Sequence, residues 1–182
     1  MKKYKPLFEV SNSLIICDVQ PHDMGKGINW DEYKFANFVN NYNKILVLFN
    51  GDEYGWESQS DMEYAYEEWG IDLGSCTFYD KGYAWFRGLM DSGYDLEELV
   101  TYMLQHNIRD SRDIEEDTLL ELLDTDEIPP DSIYIPEVAD EIIKWNKSDI
   151  CGGGRNECLA EIKILMDAKN IRYKEISKWI YG

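Results

Sequence analysis

The chain is expected to adopt an α/β fold: three layers (α/β/α), with a doubly wound, mainly parallel sheet of five or six strands and a largely helical insertion. Three observations predict this. Leu14-Ile15-Ile16-Cys17 and Ile45-Leu46-Val47-Leu48-Phe49 are continuous apolar runs, the pattern of strands buried on both faces. Helical patterns alternate with these runs, as parallel crossovers require. At 182 residues, 44% apolar and 14% aromatic, the chain is long enough for one such core, so 1–182 is expected to be a single domain.

The elements follow in order. The first strand ends at Asp18, and Pro21, Gly25 and Gly27 mark a loop. Asn29-Trp30-Asp31-Glu32 resembles a capping box for a helix carrying Tyr33, Phe35, Ala36, Phe38 and Val39. The second strand closes at Asn50-Gly51-Asp52. Ser60-Asp61-Met62-Glu63 opens a helix that runs to about Trp69. Cys76-Thr77-Phe78-Tyr79 is a shorter third strand ending at Asp80-Lys81-Gly82. Helices are predicted from Asp95 to about His106 and from Asp113 to about Leu123, before an acidic loop containing Pro129 and Pro130. The stretch from about 92 to 131 reads as an insertion that forms a lid, a subunit contact or padding. Pro136 suits the first turn of a helix to about Trp145. Ser148 to Cys151 is the fourth strand, a helix starts near Cys158, and a long last strand is expected from about Ile171 to Ile180.

Composition narrows the functions. With 18 basic and 36 acidic side chains the net charge is -18, a field that repels phosphate backbones, so no nucleic-acid partner is expected. No apolar run reaches the length of a membrane span, so no membrane partner is expected either. The basic start, Met1 to Pro6, leads into no long apolar segment, which argues against a signal peptide. Cys17, Cys76, Cys151 and Cys158 read as reduced thiols of a cytoplasmic protein rather than a disulfide framework. The two histidines, His22 and His106, are too few for a three-histidine zinc site. No cofactor and no metal are expected. A small-molecule substrate is the expected partner, and a homo-oligomer is left open.

The chemistry concentrates in Asp149-Ile150-Cys151-Gly152-Gly153-Gly154-Arg155-Asn156-Glu157-Cys158-Leu159-Ala160. Read as strand, glycine turn and helix, it puts Cys158 in a first helical turn, where unpaired N–H groups and the helix dipole favour an anion. The thiol is therefore expected to ionise more easily than a free one. In an open parallel sheet, ligands bind at the carboxyl ends of strands. Asp18, Lys81 and Cys158 all fall at such ends. A carboxylate can take the thiol proton and pass it to a leaving amine, an ammonium can favour the thiolate, and backbone N–H groups can hold an oxyanion. Each residue also has a plainer explanation: a turn-forming Asp, a surface Lys, a small buried Cys.

These residues carry a resemblance. Leu14-Ile15-Ile16-Cys17-Asp18-Val19-Gln20, Lys81-Gly82-Tyr83-Ala84-Trp85-Phe86-Arg87-Gly88-Leu89 and Gly152-Gly153-Gly154-Arg155-Asn156-Glu157-Cys158-Leu159 resemble three motifs of the isochorismatase-like cysteine hydrolases. That superfamily includes nicotinamidases and N-carbamoylsarcosine amidase. The likeness covers roughly residues 10–90 and 137–180, with Asp167-Ala168 fitting the helix after the nucleophile. It implies Asp18 as general base, Lys81 as its partner and Cys158 as nucleophile. It also implies a cis peptide at Gly153–Gly154 and an oxyanion hole from the N–H groups of Gly154 and Cys158. Gln20, Tyr83, Phe86 and Arg155 become candidate substrate contacts.

Two departures stand out. The segment Gly51-Asp52-Glu53-Tyr54-Gly55-Trp56-Glu57 has no histidine where nicotinamidases carry metal ligands. A hard-cation site from Asp52, Glu53 or Glu57 is chemically available, although a solvated acidic face is the plainer reading. The Gly-Gly-Gly-Arg loop also differs from the family's Gly-apolar-small-Thr pattern. The expected activity is hydrolysis of a C–N bond in a small amide through a thioester. The alternatives are an inert binding or assembly protein with the same fold, and an isochorismatase-type vinyl ether hydrolase.

Overall fold

The computed structural model describes residues 11–24, 28–51, 58–82 and 84–182. Five strands form one parallel sheet: β1 (Ser13–Cys17), β2 (Lys44–Phe49), β3 (Cys76–Asp80), β4 (Ser148–Gly152) and β5 (Tyr173–Glu175). Their order is β3-β2-β1-β4-β5, so the winding reverses between β1 and β4. Cys17 pairs with Leu48 on one side and Gly152 on the other, which aligns the carboxyl ends of the three inner strands. A crevice at such a reversal is where open α/β sheets hold ligands.

The alternation of side chains assigns each face its cover. Leu14, Ile16, Ile45, Val47 and Cys151 pack against α1 (Glu32–Val39) and α2 (Gln59–Trp69). Ile15, Cys17, Leu46, Leu48 and Ile150 face the other layer. That layer holds α3 (Arg87–Asp91), α4 (Glu97–His106), α5 (Glu116–Leu123), α6 (Ala139–Ile142) and α7 (Cys158–Ala168). Leu99, Val100 and Met103 of α4 are fully buried in this second core. The 92–131 segment therefore supplies part of the helical layer rather than a detached lid.

Several boundaries differ from expectation for local reasons. Asp31, not Asn29, caps α1 by accepting from the Lys34 N–H at 2.9 Å. Ser58 and Asp61 form the capping box of α2, two residues before the expected start at Ser60. The helix after Pro136 is short, because Ala139, Asp140 and Glu141 bond three residues back instead of four. The last strand stops at Glu175. A 3-10 turn at Ser177–Trp179 then buries Trp179 among Trp30, Phe35 and Phe38, and that burial outweighs extended pairing along an edge.

Candidate functional site

Three chain segments meet at the carboxyl end of the sheet. Asp18 follows β1 directly and is 2% exposed, with φ at 47°, a left-handed conformation unusual for a non-glycine residue. Its N–H still bonds the Leu48 carbonyl at 2.9 Å, so the strand ladder turns the residue into the crevice. Its own carbonyl accepts from the Tyr181 hydroxyl at 2.9 Å.

Lys81, also 2% exposed, follows β3 and crosses under the end of β2. Its Nζ lies 3.2 Å from Asp18 Oδ2 and donates to Asn50 Oδ1 at 2.8 Å and to the Gly82 carbonyl at 3.2 Å. Burial by itself would lower the Lys81 pKa. The Asp18 carboxylate, aided by Cys17, Cys158 and Glu161, reverses this and holds the ammonium above the ordinary lysine value.

Cys158 is the first residue of α7, where the helix offers its N–H no acceptor. The chain reaches it through Gly152 (φ 78°) and Gly153 (φ 62°). Glycine is required at both: a Cβ on Gly152 would stand 2.1 Å from the Cys17 carbonyl, and one on Gly153 3.0 Å from Leu159 Cβ. The described residues contain no cis peptide, so the expectation of one at Gly153–Gly154 is corrected; two consecutive left-handed glycines make the turn. The Gly154 carbonyl accepts from the Glu157 and Leu159 N–H groups at 3.0 and 3.3 Å. The C-terminal segment braces the loop, since Arg155 N–H donates to the Tyr181 carbonyl at 2.9 Å and Tyr181 N–H to the Gly153 carbonyl at 3.3 Å. In that pairing the Gly154 N–H faces away from Tyr181.

The expected easing of Cys158 ionisation is overturned. Burial first, and then the charge of Asp18, push the thiol up to about 12, although Lys81 pulls the other way. At rest the thiol is therefore neutral. Asp18 Oδ1 is buried and has no hydrogen-bond partner. Oδ2 accepts from the Cys17 thiol at 3.6 Å, which leaves Oδ1 as the unused acceptor of a carboxyl group near enough to Cys158 to raise its thiol.

The remaining candidates separate. Gln20 is fully buried; its Oε1 accepts from the Asn50 N–H at 2.7 Å and its Nε2 donates to the Asn50 carbonyl at 3.1 Å. It ties the ends of β1 and β2 and holds the Asn50 that receives Lys81. Phe86 is likewise fully buried in the core, which corrects its assignment as a substrate contact. Arg155 points outward to Glu175, 3.7 Å away, so it is not the crevice cation. Tyr83, Asp52, Glu53 and Glu57 lie outside the described residues.

Three residues emerge that the motifs had not singled out. Arg87 places Nη2 3.5 Å from Cys158 Sγ and 3.3 Å from Glu157 Oε2. Glu161, one turn beyond Cys158 and 1% exposed, accepts from the N–H groups of Trp85 and Phe86 at 2.7 and 2.8 Å. It thereby pins the lysine segment to the nucleophile helix; burial raises its pKa against these hydrogen bonds. Asn50 receives the lysine. An acid on the otherwise apolar face of Leu159, Ile162 and Leu165 was the available signal for Glu161.

No family model, curated protein or solved structure matches the chain. The four cysteines are free thiols, and no helix among the described residues is long and apolar enough to cross a membrane. The described residues contain no group of three or more acids, histidines and cysteines suited to a metal. A surface groove near Ile114, Leu119 and Pro129 includes none of the residues above.

Proposed function

We propose that the protein is a cysteine hydrolase cleaving the C–N bond of a small, non-peptide amide through a thioester, in the manner of the isochorismatase-like hydrolases its motifs resemble. The observation that carries this reading is the buried Lys81–Asp18 pair against the Cys158 thiol at the reversal of the sheet. In the first half-reaction Sγ bonds the amide carbon as its proton passes to Asp18. The carbonyl electron pair moves to oxygen, where the Cys158 N–H at the start of α7 is the available donor. Collapse expels the amine, which takes the proton from Asp18, and leaves a thioester. Water then attacks the thioester, Asp18 again takes the proton, and the returning thiolate recovers it as the acid leaves. Lys81, with its ammonium 3.2 Å from Oδ2, orients the Asp18 carboxyl throughout.

With the thiol raised by burial, ionisation in this sequence has to be coupled to attack, Asp18 taking the proton as the S–C bond forms. The same near-burial of Cys158 also favours a second reading, an inert binding protein that retains the fold. Intact-mass analysis after rapid mixing with activated small amides and esters separates them. The hydrolase reading predicts a hydroxylamine-labile acyl adduct on Cys158, absent in Cys158→Ala. No adduct on the wild-type thiol across an amide panel, with the protein folded, overturns it.

A further inference from the structure

We infer that Arg87 and Glu157 form a carboxylate subsite beside Cys158, so that the amide substrate carries a carboxylate close to the bond that is cut. This rests on the hydrolase reading and specifies its substrate class.

The argument begins with charge. The chain carries a net charge of -18, and the Lys81 cation in the crevice is fully buried against Asp18. Arg87 is different: it stands at the start of α3, with its side chain 22% exposed at the mouth of the site. Its backbone position is fixed from inside, because the preceding Phe86 donates its N–H to buried Glu161. The guanidinium therefore has a held base and a reachable tip. That tip already binds a carboxylate, Glu157 Oε2 at 3.3 Å, while lying 3.5 Å from Cys158 Sγ.

Glu157 is the natural surrogate for a ligand. Its side chain is 59% exposed, so it can swing into water when a substrate carboxylate takes its place. A planar guanidinium prefers carboxylates in paired geometry, which a lysine cannot offer. Because the same nitrogen is within hydrogen-bond reach of the sulfur, any carboxylate held there lies within a few bonds of the carbon that the sulfur attacks. Bound in this way, the substrate's anion also keeps Arg87 from competing for the sulfur. The competing contact with Glu157 explains how an acidic protein holds an arginine ready at its nucleophile without a bound anion.

Paired alkylation tests this without knowing the substrate. Iodoacetate and iodoacetamide differ only in carrying a carboxylate or a neutral amide beside the reacting carbon. Rates of modification at Cys158, read by peptide mass spectrometry, give an iodoacetate-to-iodoacetamide ratio. The wild-type ratio is expected to exceed that of glutathione by about tenfold, the difference between a charge-assisted and a neutral hydrogen bond. Arg87→Gln should bring it to the glutathione value, Arg87→Lys should restore part of it, and Glu157→Gln should raise it above wild type. A wild-type ratio at or below that of glutathione overturns the subsite while leaving the nucleophile intact. So does a ratio unchanged in Arg87→Gln, or lowered in Glu157→Gln, whose exposed position spares the fold. Failure of both reagents to reach Cys158 is a distinct result, which removes the hydrolase reading and the subsite with it.

Discussion

Two buried aspartates sit on neighbouring central strands, and their surroundings are opposite. Asp149, near the start of β4, accepts a hydrogen bond from the Tyr42 hydroxyl at 2.6 Å, close to a second polar contact between Ser13 and Ser148 at 2.9 Å. Asp18, at the far end of β1, has a left-handed backbone, a buried ammonium at 3.2 Å and one oxygen without a hydrogen-bond partner. Both are nearly inaccessible, at 7% and 2% exposure. The first arrangement ties strand to loop through a neutral hydroxyl. The second sets a left-handed backbone and an unpartnered oxygen beside a buried ammonium, the arrangement on which the proposed hydrolysis would draw.

The comparison breaks most visibly in rate. Asp18→Asn keeps shape but removes the proton acceptor, and should slow Cys158 acylation by about 10²–10⁴-fold. Asp149→Asn should leave acylation near wild type. Equal losses in stopped-flow acylation would show that the two acids do the same structural work.

Stability comes next. Lys81→Met strands a buried carboxylate and should cost about 3–5 kcal/mol in urea denaturation, most of it recovered by adding Asp18→Asn. Tyr42→Phe removes the donor to Asp149 and should cost about 1–3 kcal/mol without altering acylation. A Lys81→Met protein as stable as wild type would mean that the buried Lys81–Asp18 pair contributes nothing to the fold.

A finer effect is alkaline. Burial first, with Asp18 second, raises the Cys158 thiol from 9.0 to about 12, so between these values the folded state holds a proton that the unfolded state has released. Stability must then fall as pH rises from about 9 towards 12. Lys81, raised above 10.5, adds in the same direction: its contribution is complete below that value and is lost above it. Tyr42 is raised by burial and by Asp149, and acts likewise from about 10. Cys158→Ala should reduce the earliest part of the limb, which Cys17, Cys76 and Cys151 share, and Tyr42→Phe a later part, measured by urea unfolding at pH 8, 9.5 and 11.

Much of this was legible in the chain. Asp18 and Lys81 each stand one residue past a strand, and Cys158 begins a helix after glycines, so strand ends alone bring them into one crevice. Side-chain direction was not legible. Arg155 lies nearer to Cys158 in sequence, yet it turns to Glu175, while Arg87 arrives from another helix. Phe86 has the composition of a substrate contact but fills the core, because Glu161 fixes the backbone on either side of its N–H. The thiol's ionisation depended on a balance between helix start, burial and a neighbouring carboxylate that spacing cannot weigh. The short β5 reflects the pull of Trp179 into an aromatic cluster assembled from residues far apart in sequence.

The central claim is that Asp18 serves Cys158 as a base, and one measurement gives it a sign. Electrostatically Asp18 raises the thiol pKa, so if its role is only structural, Asp18→Asn should make Cys158 more acidic and quicken alkylation by iodoacetamide at pH 7. If Asp18 takes the proton during attack, the same change should slow alkylation, by about 10²-fold or more. Slower labelling of Cys158 in a folded Asp18→Asn protein is the predicted result; equal or faster labelling would contradict the account.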